Sequence, residues 1–283
     1  LTEITVDPKN KFYSSDGNCL VERLTNTLML VCSNSVIPDD GSVTRILPNV
    51  FYGTAIERVT IPASVTQTEL PKFIDCTNLK EVIILGNIEK IPYLAFLGCT
   101  SLESVLLPES LTEIGDYAFY ECTSLTEIII PDSVNKLGNH PFSNCTALSK
   151  VKLGDGLTEL LWSEPFNGCL NITEFDTGNG LTELDYLHLH NFGKLKTLVI
   201  GNGVTEIKVS HLYNLSELET VTIGSNVNMI GNSAFVNCTS LTDIYYDGTK
   251  AQWLEITAED WDDRTGEYTI HFNDGSTMTK GEE

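Results

Sequence analysis

The chain has 283 residues, with 17 Lys plus Arg against 39 Asp plus Glu, for a net charge of −22. So acidic a surface repels phosphate backbones and anionic lipid, which sets aside nucleic-acid binding and electrostatic membrane association. No apolar run approaches the roughly 20 residues needed to span a bilayer as a helix, so no membrane insertion is expected. The chain opens at Leu1 without a signal peptide, an initiating Met or a lipobox. We read it as a mature or trimmed form of a longer product.

Residues 1–42 follow no repeat. Asp16-Gly17-Asn18 is a turn signal, and Cys19-Leu-Val-Glu22 and Thr27-Leu-Met-Leu-Val31 predict a hairpin around Arg23 to Asn26. We expect this segment to cap the array that begins at Val43, because a stack of coils would otherwise expose an apolar end and unpaired strand edges.

Residues 43–246 repeat. A leading position recurs at Gly53, Cys76, Cys99, Cys122, Cys145, Cys169, Phe192, Leu215 and Cys238, in steps of 23 except for the 24 from Cys145 to Cys169. An apolar anchor keeps the same register at Ile56, Leu79, Leu102, Leu125, Leu148, Ile172, Leu195, Leu218 and Leu241. In the copy at Cys122, Leu125-x-x-Ile128-x-Ile130 ends in a strand alternation, and Pro131, unable to donate to a ladder, closes it. One such coil cannot bury its own apolar side, but a stack of them can. The expected fold is therefore an α/β-type repeat solenoid: a right-handed leucine-rich repeat of nine ~23-residue coils with parallel strands and an irregular or short-helical convex side.

Past Tyr246 the pattern changes. Residues 247–283 are expected to form a second cap, with a short helix or turn from Lys250 to Trp253 and a strand over Tyr268-Thr-Ile-His-Phe272. Trp253, Trp261 and Tyr268 either form a sugar-stacking platform or shield the last coil, and shielding is the favoured reading.

The repeat from residue 108 to 131, PESLTEIGDYAFYECTSLTEIIIP, nearly completes the signature P-x-S-[LV]-x-x-[IL]-x-x-x-A-F-x-x-C-x-x-L-x-x-[VI]-x-[IL]-P. In this the chain resembles the BspA-type leucine-rich repeat proteins of bacterial surfaces, over about residues 43–246. The resemblance implies a secreted or cell-surface, non-enzymatic binding or adhesion module, with a protein or a glycan as partner. The copies starting at Cys169 and Phe192 depart from the pattern, with His188-Leu189 and His211-Leu212 in place of Ala-Phe.

Eight cysteines suggest a disulfide framework, yet six of them are the leading position of the repeat. Equivalent positions one coil apart present parallel Cα–Cβ bonds about 4.8 Å apart, whereas a disulfide needs converging Cβ atoms near 3.8 Å. These six are expected to be buried free thiols acting as small apolar groups. Cys19 and Cys32 lie outside the column and are left either paired or free.

Motifs that carry chemistry are few. Walker-type loops, H-E-x-x-H, C-x-x-C and G-x-S-x-G are absent, and no cofactor is expected. Gly154/Gly156, Gly178/Gly180 and Gly201/Gly203 occupy the repeat position of Pro108 and Ser110, so they read as turns rather than phosphate loops. His188, His190 and His211 are near enough in the repeat to suggest zinc or, more simply, a coil corner. Lys90, Glu113 and Lys136 alternate in sign along one column, with Glu159 next, so neighbouring coils should pair them. Glu159, Glu183 and Glu206 continue the column as like charges, to be screened by solvent or bridged by a metal such as calcium. Sequons at Asn144, Asn171, Asn214 and Asn237 read as by-products of the repeat.

The outward strand positions make the expected working face. Ile83, Leu106 and Ile129 form an apolar stripe, beside Arg58, Glu81, Glu127 and Lys150. An apolar stripe rimmed by charge suits a protein partner. The other readings are a carbohydrate-active enzyme on a solenoid scaffold and a purely structural spacer. A monomer is expected.

Overall fold

In the computed structural model, which describes residues 1–160, 164–209 and 211–282, most of the alternating segments pair as parallel ladders from coil to coil. The chain is a β-solenoid of about nine turns with very little helix. It divides into two compact units: Leu1–Ala147 with Pro165–Gly168, and Leu148–Glu164 with Cys169–Glu283.

In the first unit Tyr13–Asp16, Cys19–Glu22 and Thr27–Val31 form an antiparallel meander. Its last strand then pairs in parallel with Arg45–Ile46. Arg58–Ile61, Glu81–Ile84 and Ser104–Leu106 come next as an in-register parallel ladder, with Glu127–Ile129 the next strand along the chain. A second, narrower ladder joins Lys90–Ile91, Glu113–Ile114 and Lys136–Leu137. In the second unit the ladder runs through Lys150–Lys152, Glu174–Asp176, Thr197–Ile200, Thr220–Ile223 and Asp243–Tyr246. It does not stop at residue 246: Thr269–Phe272 pairs in parallel with Asp243–Tyr246, and only then does Thr277–Thr279 turn back antiparallel. Lys250–Trp253 is one turn of α-helix, closed by a capping box between Thr249 and Gln252.

The core of the first unit is a file of phenylalanines. Phe51, Phe73, Phe96, Phe119, Phe142 and Phe166 stack from coil to coil with centroids 4.5–5.4 Å apart and planes within 15°. The thiol column lies beside it, and all eight cysteines are free and buried. These thiols do more than fill space. Cys76, Cys99, Cys122 and Cys145 each donate Sγ–H to the carbonyl of the phenylalanine one coil back, Phe51, Phe73, Phe96 and Phe119, at 2.8–3.3 Å. Cys238 does the same to Leu212 at 3.1 Å. Reading the column as small apolar groups misses this bond. It gives each of the four phenylalanine carbonyls a further donor beside the backbone N–H three residues on. Burial pushes the Cys99 and Cys122 thiols well above the ordinary thiol range, and Cys238 up to about 12. These three thiols are therefore disfavoured as thiolates. Cys19 and Cys32 are likewise separate thiols, with Cys19 Sγ near the Val36 carbonyl and Cys32 Sγ near Asn34 Oδ1.

One lead position is corrected. Thr54, not Gly53, is the equivalent of Cys76. Thr54 N and Oγ1 both donate to Phe51 O, as Cys76 N donates to Phe73 O. Gly53 N bonds Ile74 O, as Asp75 N bonds Leu97 O. The strands still pair 23 residues apart, Arg58 with Glu81, so this coil is one residue shorter between its lead and its anchor Ile56.

Each coil turns its corners through left-handed residues. One precedes the thiol column: Asp75, Gly98, Glu121 and Asn144 in the first unit, Asn214 and Asn237 in the second. Asparagine tolerates that region better than other non-glycine residues. Three of the four sequons thus begin at an asparagine chosen by backbone geometry.

Candidate functional site

Strand alternation in the first unit drives Val59 and Val82 inward and leaves Thr60, Ile83 and Leu106 side by side on the other face. Leu106 is 61% exposed and Ile129 is 56% exposed; Ile83 is half-buried between its neighbours. Leu85, 57% exposed, adds to this stripe. It lies two residues past Ile83, beyond the strand end expected from the alternation. The charged neighbours are largely engaged with one another. Arg58 is ion-paired with Glu81, and Lys80 pairs with Glu57 at 3.0 Å. Glu127 is exposed. Lys150 lies in the second unit, on the equivalent strand face, and pairs with Glu174 at 2.9 Å.

The first three members of the alternating column pair. Glu113 takes Lys136 at 2.9 Å and Lys90 at 3.4 Å. The hydrogen bond from Lys136 is the main cause that holds the Glu113 carboxyl below its ordinary range. A folded-state pKa below the unfolded one contributes stability above the unfolded value, and that contribution is lost as pH falls through the folded value. Glu113→Gln is therefore expected to cost about 0.5–1 kcal/mol at neutral pH, the scale of exposed pairs. The difference from the parent should shrink from neutral to acid pH, as the depressed Glu113 carboxyl is protonated. Urea titrations at the two pH values measure it.

In the acidic half of the column, one carboxylate is met by a cation from outside the column. Glu159 is exposed, Glu206 is half-buried on the strand opposite Met229, and Glu183 forms an ion pair with Lys208 Nζ at 3.2 Å. Lys208 stands two residues past Glu206 and also holds Asp185. Among the described residues no group of three His, Cys, Asp or Glu is arranged to hold a metal ion.

The histidines meet, though not by stacking equivalent positions. His190 stacks between His188 (centroids 5.9 Å, 29°) and Tyr213 (5.1 Å, 23°). His211 turns instead to Asp185 Oδ1 at 2.9 Å. Asp185 is the side chain that sequence reasoning missed. It lies within the altered copy, three residues before His188, and the opposite charge of Lys208 at the same position one copy on was the available signal. At this corner two single turns of 3-10 helix, Asp185–Leu187 and Leu189–Asn191, replace the usual bend. They leave a pocket of about 320 Å³.

At the far end of the chain Trp253 and Tyr268 are buried, and both pack on Trp261 at 5.7–6.1 Å. Trp261 in turn lies edge-on to Phe235. This is the shielding arrangement, with rings set against one another rather than presented flat to a ligand. On the strand face of the same unit Tyr245 stacks on His271 at 4.7 Å, and His271 bonds Asp243 at 2.7 Å.

Parallel ladders one coil apart, an inward aliphatic pair per strand and a consensus turn define a leucine-rich repeat β-solenoid. More narrowly, the chain belongs to the BspA type leucine-rich repeat region family, whose model matches residues 44–161 and 163–253 in six copies. Among solved structures, it is similar to a leucine-rich repeat protein from Bacteroides ovatus, with 24% identity, 87% of this chain and 70% of that one covered, and a TM-score of 0.50. It is also similar to a leucine rich cell surface protein from Faecalibacterium prausnitzii (22% identity, 89% and 99% covered, TM-score 0.33). A third similar structure is a leucine-rich repeat protein from Eubacterium ventriosum (21%, 86% and 54%, TM-score 0.43). At these identities the likeness concerns the fold. No curated protein matches the chain. Among the described residues no helix is long and apolar enough to cross a membrane.

Proposed function

We propose that this protein is a non-enzymatic, secreted or cell-surface binding module whose strand face docks another protein. The observation that carries the reading is the exposed aliphatic stripe of Leu85, Leu106 and Ile129 in the first unit. Its side chains are aliphatic, which suits protein burial better than the aromatic platforms that stack sugars. Around it the ion pairs Arg58–Glu81 and Lys80–Glu57 are already formed. Docking there removes apolar area from water and leaves few unpaired charges to desolvate. A net charge of −22 favours a partner whose own patch is basic. The family resemblance supports surface exposure.

The experiment immobilises the full chain and presents a panel of purified extracellular-matrix proteins, with a glycan array run in parallel. At least one protein is expected to bind. Leu106→Asp should reduce that binding at least tenfold (about 1.4 kcal/mol) with an unchanged melting temperature, because Leu106 points to solvent in the free protein. Binding that survives the substitution removes this face from consideration.

A further inference from the structure

We propose that the irregular corner of the second unit is a binding pocket for a single neutral sugar ring. Elsewhere the corner is closed by the repeat itself: Ala95, Ala118 and Ala234, with Phe96, Phe119 and Phe235 behind them, are fully buried. In the two successive copies that build this corner, both positions change together. His188 and His211 replace the small residue, and Leu189 and Leu212 replace the ring. A smaller side chain behind and a polar one in front turn a packed corner into a pocket of about 320 Å³, near the lower end of the range for small-molecule sites. Its wall carries Asp185, Tyr186, His188, His190, His211 and Tyr213. Three of the chain's five histidines are here. The backbone is held in left-handed conformation at Tyr186 and His188, with φ of 21° and 50°. Such strain persists where the surroundings impose it and concentrates at functional positions.

The chemistry of the lining selects the ligand. Asp185 is clamped by Lys208 and by His211, so its carboxylate is fixed in direction and ionised, with lone pairs left for hydroxyl donors. Because an ionised carboxylate only accepts, His211 Nε2 donates to it and Nδ1 keeps a bare lone pair. That atom is buried and has no partner among the described residues. Burial holds His190 and His211 below the ordinary imidazole range, so at neutral pH these rings are uncharged. The pocket therefore offers the Asp185 carboxylate, tyrosine hydroxyls and the face of Tyr213 that His190 does not cover. Among the described residues it offers no free cation for a phosphate or carboxylate ligand. It also lacks the wholly apolar lining that a lipid or aromatic ligand would need. A pyranose supplies what is missing: several hydroxyl donors around the edge and a C–H face to lie on a ring.

The test uses the full chain labelled at histidine, with imidazole C–H signals followed by NMR. D-galactose, D-mannose, N-acetyl-D-glucosamine and maltose are each added to roughly 50 mM, well above the millimolar range of weak sites; glycerol is the control. At least one sugar is expected to shift the signals of His190 and His211 saturably, and glycerol is not. Asp185→Asn, which keeps shape, and Tyr213→Ala should each weaken that sugar at least tenfold; if Tyr213→Ala fails to fold, Asp185→Asn decides. Leu106→Asp, in the other unit, should leave the shifts unchanged, so failure here and failure of the strand-face reading are separate results. No saturable shift with any of the four sugars, or shifts that persist at full affinity in Asp185→Asn, overturns the proposal.

Discussion

Phe96→Ala is expected to lower the stability of the first unit by about 4–5 kcal/mol, the upper part of the range for deleting a buried phenylalanine. Phe96 is fully buried and lies between Phe73 at 5.1 Å and Phe119 at 4.8 Å, with planes 1° and 12° from parallel. Removing the ring costs the transfer of its apolar surface and a cavity that the flanking rings cannot close, because each is itself fixed by the next. It also removes two offset-stacked pairs, each worth about 0.5–1.5 kcal/mol beyond area. In a solenoid a coil rests only on its neighbours, so a mid-array loss weakens two interfaces at once. Phe96→Leu should cost much less, about 1.5 kcal/mol, since Leu189 and Leu212 occupy the same column in the second unit and are themselves buried. Urea unfolding followed by circular dichroism gives both values. A loss below about 2 kcal/mol for the alanine variant would mean that the file collapses onto the gap, and that its stacking contributes little.

The period, the anchors and the outward strand residues were legible in the sequence because they depend on one coil's own alternation. Ile83 and Leu106 share a face for that reason, and the register pairs them. What was not legible depends on the neighbouring coil. The cysteine column reads as apolar because phenylalanine and leucine substitute in it, yet its thiols reach back to a carbonyl 25 or 26 residues earlier. Lys208 answers Glu183 from a position outside the column in which like charges were counted. Gly53 kept the arithmetic of 23, while hydrogen bonding assigns the role to Thr54, because a one-residue shortening in the same coil preserves the strand register. Lys150 shares the repeat position of Glu127 but belongs to the other compact unit. The corner at His188 and His211 was visible as a departure from consensus. Its pocket was not, because the carboxylate that organises it, Asp185, takes a repeat position that is glycine at Gly115, Gly138 and Gly231 and so signals a turn rather than a site.

The paired glycines carry the second large effect, and for a reason other than the one their turn position suggests. Gly178 does adopt a left-handed conformation, with φ of 62°, but Gly201 has no positive φ. Gly201 is buried, and a Cβ built on it would lie 1.8 Å from the Gly178 carbonyl oxygen and 2.6 Å from its carbon. The same closeness continues upward, where a Cβ on Gly224 would meet the Gly201 oxygen at 2.7 Å. The Gly201 amide is also fixed, donating at 3.0 Å to the hydroxyl of the fully buried Thr177. Backbone stands directly on backbone here, and neither strand can yield without breaking the ladder that pairs Asp176 with Val199 and Val199 with Thr222. Gly201→Ala is therefore expected to cost at least ~3 kcal/mol, beyond ordinary overpacking, where flexible side chains absorb the added methyl. Gly53 provides the opposite case: its φ is +62°, but nothing lies within 4 Å of a built Cβ. Gly53→Ala should cost only the left-handed penalty of about 1 kcal/mol. If melting and urea titration instead rank Gly53→Ala as the more damaging, conformational freedom rather than close approach selects these glycines. Backbone-to-backbone stacking would then not be what holds successive coils of the second unit in register.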